Sequence, residues 1–191
     1  MTAWVLDRRA TYEDLLAVPE NLNAELIDGE LYTWPRPRLR HAKAAGRLFG
    51  RLEHAFDSGD GPGGWVIVFE PELRLNDDVL IPDIAGWRLA RAPVDLDAAR
   101  IDISPDWVCE VLSPSTRRFD RVKKMVVYAR HEVEYAWLVD PLDRTLEVKH
   151  LESGHWTDIA VFSEGVIRAA PFDAIGIDLA KIWGEPPLPA P

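Results

Sequence analysis

Two short and almost continuous apolar runs, Asp106–Leu112 and Glu134–Val139, constrain the fold of this chain more than any other feature. A strand built almost only from apolar residues must be covered on both faces, because a strand with one wet face alternates with polar residues. The two runs therefore predict two buried strands in a covered sheet. A helix predicted between them, over residues 116–130, makes the fold class α/β or mixed α+β.

The remaining segments supply further helices and strands. Thr11 followed by Asp14 predicts a short capped helix that ends before Pro19. Asp28-Gly29 predicts a tight hairpin turn, since both central residues of that turn need a positive φ. Hydrophobic periodicity and β-branched or aromatic content predict a helix over 41–57, strands over Trp65–Phe69, Glu72–Leu75 and Val79–Trp87, an irregular connection over 92–105, and strands over Leu146–His150 and Trp156–Phe162.

Composition limits the classes of function. The 191 residues fit one domain, which we place at 1–183, followed by a proline-rich tail at 184–191. The net charge of −10 excludes a generally basic nucleic-acid coat, although not a basic patch. The single Cys109 excludes a disulfide framework and suggests a reducing cytoplasm. We expect no membrane span and no secretory signal.

Two acids, Asp83 and Glu110, interrupt segments that are otherwise apolar. A buried carboxylate without a partner costs several kcal/mol, so each acid needs a compensating charge. For either acid alone, an ion pair or a position at a strand end is an equally good explanation. Two such acids in consecutive predicted strands favour a shared cation, and Mg²⁺ is typically bound by one or two carboxylates plus waters.

The segment after Glu110 adds charge and hydroxyl groups. Ser115 or Thr116 is placed to cap the helix over 116–130, where free N–H groups attract phosphate, and Arg117 adds positive charge. Asp120, Lys124 and Tyr128 follow at four-residue spacing and share one helix face, which directs Lys124 back toward the strand end. The apolar side of this helix is predicted to carry Val122, Met125, Val126 and Ala129.

These motifs resemble a known family. The segments Glu25-Leu-Ile-Asp-Gly-Glu-Leu31, Pro82-Asp83, Glu110-Val-Leu-Ser-Pro-Ser-Thr116 and Glu134-Tyr-Ala-Trp-Leu-Val-Asp-Pro141 occur in the order found in the bacterial "putative restriction endonuclease" family of the PD-(D/E)XK nuclease superfamily. The resemblance spans residues 11–150. It implies a restriction-endonuclease-like fold, with a mixed central β-sheet flanked by helices, and Mg²⁺- or Mn²⁺-dependent cleavage of phosphodiester bonds in DNA.

The resemblance also implies roles for individual residues. Asp83, Glu110 and the carbonyl of Val111 would hold the metal, while Lys124 would stabilise charge or orient water from a helix rather than from the strand. The strict motif would place lysine at position 112, where this chain has Leu112. Glu25 matches an acidic position near the family's site. Further substrate-binding candidates are His41, Ser115, Thr116, Arg117, Asp120 and Tyr128.

Three interpretations remain open at this stage. The first is a metal-dependent endodeoxyribonuclease, expected as a homodimer because a duplex has two strands to reach. The second is a catalytically inactive module on the same fold that binds nucleic acid or protein. The third is a structural homodimer with an accidental acid pair. A basic rim made by Arg36, Arg38, Arg40 and Lys43 would favour nucleic acid, although a solvated loop explains these residues equally well.

Overall fold

The computed structural model of the protein describes residues 7–91, 95 and 97–184, and the backbone of residues 2–4. Apart from Gly184, the predicted tail lies outside the described residues, as does part of the connection predicted over 92–105. No helix in the ranges just given is long and apolar enough to cross a lipid bilayer.

The elements follow the predicted order closely. The strands are β1 Thr2–Trp4, β2 Leu22–Ile27, β3 Glu30–Pro35, β4 Trp65–Phe69, β5 Leu73–Leu75, β6 Asp78–Leu80, β7 Ile84–Arg88, β8 Trp107–Val111, β9 Tyr135–Asp140, β10 Thr145–Glu152, β11 His155–Phe162, β12 Val166–Ile167 and β13 Ile177–Asp178. The α-helices are α1 Tyr12–Leu16, α2 Leu39–Glu53, α3 Arg117–Phe119, α4 Met125–Arg130 and α5 Leu179–Trp183. One π-helical segment, His54–Ser58, continues α2, and another, Asp120–Lys124, joins α3 to α4. We call the joined unit the 117–130 helix.

A mixed six-stranded sheet forms the centre, in the order β11-β10-β9-β8-β7-β4. β8 and β9 are parallel, and the other neighbours in this sheet are antiparallel. All five residues of β8 are buried, which confirms that this strand is covered on both faces. Alternate residues of β8 enter two separate cores: Cys109 packs with Leu48 of α2, and Val108 packs with Met125 of the 117–130 helix.

A second, antiparallel sheet has the order β1-β3-β2-β6-β5. Its β2–β3 hairpin turns at Asp28 and Gly29, whose φ values of 54° and 77° confirm the predicted turn. The helix before it, α1, begins with a reciprocal capping box between Thr11 and Asp14, also as predicted. This sheet brings the acidic side chain of β2, Glu25, toward the central sheet.

The segment predicted as a single strand over Val79–Trp87 is in fact two strands in different sheets. β6 pairs with β2 and β5, whereas β7 pairs with β4 and β8. The chain passes between the sheets at Ile81-Pro82-Asp83, where Pro82 has no N–H to donate to a ladder. Asp83 therefore lies at the junction of the two sheets and not inside a strand.

The predicted apolar side of the 117–130 helix is confirmed for Met125, which is buried, but is wrong for Val122 and Val126. Val122 and Val126 are 55% and 56% exposed, while Asp120, Lys124 and Tyr128 are buried. Hydrophobic spacing marks the buried face of a helix only when that face packs against apolar groups. Here the buried face packs partly against carboxylates, so its own residues are charged.

Candidate metal-binding and active site

A cleft of about 760 Å³ opens between the two sheets, at the end of β8 and beside the start of α2. Most of the residues predicted for the site lie on its wall. These are His41, Asp83, Glu110, Val111, Ser115, Thr116, Asp120 and Lys124. Residues from three separate parts of the sequence, around 41, around 83 and over 110–124, therefore meet in one concave surface, which is the usual form of a binding site.

Lys124 lies at the centre of the buried charges. Its Nζ is 2.9 Å from Oε1 of Glu25 and 2.7 Å from Oε1 of Glu110, and it donates a 3.3 Å hydrogen bond to the carbonyl of Ile81. The backbone N–H of Ile81 donates to the same Glu25 oxygen at 2.9 Å. Burial lowers the pKa of Lys124, but Glu110 and Glu25 outweigh it and raise the pKa overall, so the ammonium stays charged.

Asp83 is held from two sides. The backbone N–H of Val111 donates to its Oδ2 at 2.6 Å, and Nε2 of His41 lies 3.2 Å from its Oδ1. Burial lowers the pKa of His41, while Asp83, Asp120 and a backbone hydrogen bond with Val111 together raise it, so the net shift of the pKa is upward. The two donors fix the plane of the carboxylate against the end of β8.

Glu110 is held by a second pair of donors. Besides Lys124, the hydroxyl of Tyr128 donates to Oε1 of Glu110 at 2.5 Å. Burial raises the pKa of Glu110 well above its usual range; Lys124 opposes the shift, and the carboxylates of Asp120, Asp83 and Glu25 add to it. Tyr128 thus packs in the core with its hydroxyl on a site acid, although it does not itself line the cleft.

Asp120 adds a third buried acid to Glu25 and Glu110, one helical turn before Lys124. Burial raises its pKa to about 7, although Lys124 and a hydrogen bond with the Thr116 side chain act in the opposite direction. The Oγ of Ser113 is 2.9 Å from the hydroxyl oxygens of both Ser115 and Thr116. These three hydroxyl residues line the same cleft as the acids.

Arg117 is the one predicted site residue whose charge is engaged elsewhere. Its guanidinium pairs with the buried Asp140 at 2.5 Å and with Asp143 at 3.1 Å. It does not line the cleft. The structure therefore places Arg117 in a link between the 117–130 helix and the end of β9.

Glu70 is a cleft residue that the sequence did not indicate. It follows β4, adopts a φ of 47°, and donates its N–H to the carbonyl of Asp83 at 3.0 Å. Burial raises the pKa of its carboxyl, with Asp83 as the next cause. Its only sequence signal is an acid directly after an apolar strand, which is a common feature of surface turns.

The chemistry of the donors fits a hard divalent cation. Glu25 and Glu110 both contact the Lys124 ammonium, and Asp83 and Asp120 line the same cleft, so the carboxylates around Lys124 outnumber the one cation that contacts them. Among the buried polar atoms without a hydrogen-bond partner in the described residues is Oε2 of Glu25. No group of three or more His, Cys, Asp or Glu in those residues could hold an ion by itself. Mg²⁺ needs only one or two carboxylates, however, because water and phosphate oxygens complete its shell.

The architecture matches that of a known crystal structure. A protein from Anabaena variabilis ATCC 29413, described as "a putative nuclease belonging to DUF820", superposes with a TM-score of 0.73 at 21% identity, over 91% of this chain and 97% of the other. The chain therefore has the mixed α+β fold of that protein, which confirms the predicted fold class.

The family model described as "Putative restriction endonuclease", named Uma2, matches residues 9–180. The chain therefore belongs to this family, and the resemblance noted in the sequence is confirmed. The chain is also 34% identical over 99 residues to the ribosome maturation factor RimM of Pseudomonas fluorescens (strain SBW25). That similarity covers 51% of each protein, so the chain spans about half the length of the curated relative it matches.

Proposed function

We propose that this chain is a metal-dependent endonuclease that hydrolyses phosphodiester bonds in DNA. Asp83, Glu110 and the carbonyl of Val111 would hold Mg²⁺ or Mn²⁺ at the floor of the cleft. The observation that carries the proposal is the surplus of buried carboxylates around Lys124, because burial of unpaired negative charge is costly unless a cation joins it. Membership of a nuclease-like family supports the same conclusion.

A bound divalent ion would polarise the scissile phosphate and lower the pKa of a bound water. The protein's own contribution is to hold the acids in place. Val111 N–H and His41 orient Asp83, while Tyr128 and Lys124 orient Glu110. Such outer contacts set the direction of ligand oxygens and so affect metal affinity.

Lys124 would stabilise the negative charge that develops on the phosphate. Its Nζ lies 2.7 Å from a proposed ligand oxygen and lines the cleft, so a phosphate bound there would lie near an ammonium that remains charged. Ser115 and Thr116 supply hydroxyl groups on the wall above it. Glu25 and Glu110 keep the ammonium in position.

The test is plasmid cleavage with Mg²⁺ or Mn²⁺, comparing the wild type with Asp83→Asn. The control is Asp143→Asn, which also removes one carboxylate but at a side chain that is 63% exposed. We expect Asp83→Asn to lose at least 100-fold in rate and Asp143→Asn to keep wild-type activity. Equal nicking by wild type and Asp83→Asn would identify a contaminant and reject the enzyme. Mn²⁺ binding measured by calorimetry, without DNA, shows whether Asp83→Asn loses activity because it no longer binds the metal or because it no longer catalyses the reaction.

His41→Gln is the corresponding test of orientation. Glutamine can still donate to Asp83, so we expect it to keep most of the metal affinity, whereas His41→Ala should weaken Mn²⁺ binding by roughly 10–100-fold. Unchanged Mn²⁺ binding by His41→Ala would show that His41 does not position Asp83. If neither metal binding nor cleavage is found, the remaining candidate is a non-catalytic binding module on this fold.

We also propose that the protein acts as a homodimer in the cytoplasm. A second subunit would give access to the second strand of a duplex, and the buried thiol of Cys109 suits a reducing compartment. Sedimentation at micromolar concentration tests the dimer. A monomer at all concentrations would contradict it and leave the cleft chemistry unaffected.

A further inference from the structure

We infer that the exposed side of α2, together with the loop before it, is a basic track that binds the phosphodiester backbone of the substrate outside the cleft. This inference rests on the proposed function and extends it from the reacting phosphate to the neighbouring phosphates. The track consists of Arg36, Arg38, Arg40, Lys43, Arg47 and Arg51.

The distribution of charge along the sequence is the first observation. Six of the 22 Lys and Arg residues fall between Glu30 and Glu53, and no Asp or Glu lies between those two positions. The chain as a whole carries −10. The net negative charge of the whole protein would repel a polyanion. A dense basic segment therefore indicates a local surface to which a polyanion can bind.

The spacing of these residues is the second observation. Arg40, Lys43, Arg47 and Arg51 recur at three- and four-residue steps, so they form one stripe along α2. The residues that α2 buries, including Ala44 and Leu48, lie on an adjacent face. At 1.5 Å per residue the stripe is about 16 Å long, which is close to five base-pair steps of B-DNA.

The third observation is that these cations are not neutralised. In the part of the chain that the structure describes, none of the six forms an ion pair with a carboxylate, whereas Arg8, Arg88, Arg121 and Arg130 all do. Arg47 donates to the carbonyl of Lys181 at 2.6 Å, and Arg51 donates to that of Gly176 at 3.0 Å. Carbonyl partners hold a guanidinium in place without cancelling its charge.

The position of the stripe connects it to the candidate site. Arg36, Arg38 and Arg40 line the same cleft as Asp83 and Glu110. A backbone whose one phosphate lies at the acids would therefore continue directly onto α2. Arg36 also donates to the carbonyl of Glu20 at 2.8 Å, and its charge lowers the pKa of the Glu70 carboxyl. The most exposed cations without such partners are Arg38, Arg40 and Lys43.

The test compares two triple variants with the same change in net charge. One is Arg38→Gln, Arg40→Gln, Lys43→Gln. The control is Arg9→Gln, Arg100→Gln, Arg168→Gln, which neutralises three exposed cations outside the track. Binding to a fluorescent 30-base-pair duplex and to a 30-nucleotide single strand is measured by anisotropy in EDTA, over a series of salt concentrations. Thermal unfolding confirms that both variants fold.

We expect the track variant to bind at least 10-fold more weakly than the wild type, and the control variant to stay within two-fold. The slope of log affinity against log salt should fall by about 2 to 3, since each lost phosphate contact contributes roughly 0.9 for a duplex and 0.7 for a single strand. The substrate with the larger loss identifies which form of DNA follows the track.

Two results would overturn the inference: equal weakening in both triple variants, or no salt-dependent binding by the wild type. Displacement of DNA by poly-glutamate at equal charge would also overturn it, because the track would then not select phosphates. Binding in EDTA measures the track apart from the metal-dependent step. If the protein binds DNA along α2 but does not cleave it, the basic track is supported and only the proposed nuclease activity is rejected.

Discussion

Replacing Lys124 by methionine removes the one permanent cation among the buried acids. Glu25 and Glu110 are 0% and 3% exposed, so the change leaves two carboxylates without their partner in a dry environment. Removing one partner of a buried ion pair costs about 3–5 kcal/mol in the free energy of unfolding. This is a large part of the roughly 5–15 kcal/mol that stabilises a typical domain.

A limit on this cost follows from protonation. The variant can neutralise one carboxyl by taking up a proton, which costs about 1.4 kcal/mol for each pH unit above an ordinary glutamate pKa of about 4.3. At pH 7.5 that route costs about 4 kcal/mol, and at pH 5.5 it costs about 1.6 kcal/mol. The folded variant then binds one more proton than its unfolded chain, so its deficit shrinks as the pH falls.

The assay is urea unfolding at pH 7.5 and pH 5.5 in EDTA, followed by the fluorescence of the eight tryptophans. Lys123→Met is the matched control, because it removes the adjacent lysine, whose side chain is 47% exposed and whose Nζ lies 3.9 Å from Glu30. We expect this control to lose less than about 1 kcal/mol in the free energy of unfolding. The reasoning is refuted if Lys124→Met costs less than about 1 kcal/mol at pH 7.5. It is refuted equally if the cost is the same at both pH values.

Two other substitutions test the framework around the site. Arg121 holds Glu147 by two hydrogen bonds of 2.8 and 2.6 Å and lowers the pKa of that carboxyl, so this contribution is present at neutral pH and is lost as the pH falls through the lowered pKa. Glu147→Gln should cost about 0.5–1 kcal/mol at pH 7 and almost nothing below pH 3; an equal cost at both, by urea unfolding, would contradict the pairing. Gly46→Ala, in open space on α2, should raise the melting temperature because alanine favours a helix by about 1 kcal/mol. Gly59→Ala should lower it sharply, since its Cβ would lie 2.0 Å from the carbonyl of His54; similar effects of the two glycine changes would be inconsistent with this packing.

Much of the fold follows from local pattern. The turn at Asp28-Gly29, the cap at Thr11 and the doubly buried β8 each depend on a few adjacent residues, and each is present in the structure. The local sequence pattern does not predict where the chain passes from one sheet to the other. The apolar run over Val79–Trp87 looks like one strand because both of its halves are buried, and only Pro82 in the sequence indicates the break.

The candidate site was partly predictable for a different reason. An acid in an apolar run is conspicuous, and Asp83 and Glu110 do line one cleft. The contacts of Lys124 with Glu25 were beyond local reasoning, because they join residues 99 positions apart through the packing of two sheets. Their metal-binding and catalytic roles stay predictions.

The π-helical segment Asp120–Lys124 determines where the 117–130 helix can tolerate a change in length. A π turn holds more residues than an α turn, so deletion of one residue there would leave a regular α-helix. Because the wider turn already accommodates that residue, the helix on both sides of such a deletion would keep nearly the same facing. A deletion between Met125 and Tyr128 has no wide turn to absorb it, so at 3.6 residues per turn it would rotate Tyr128 by about 100° away from Glu110.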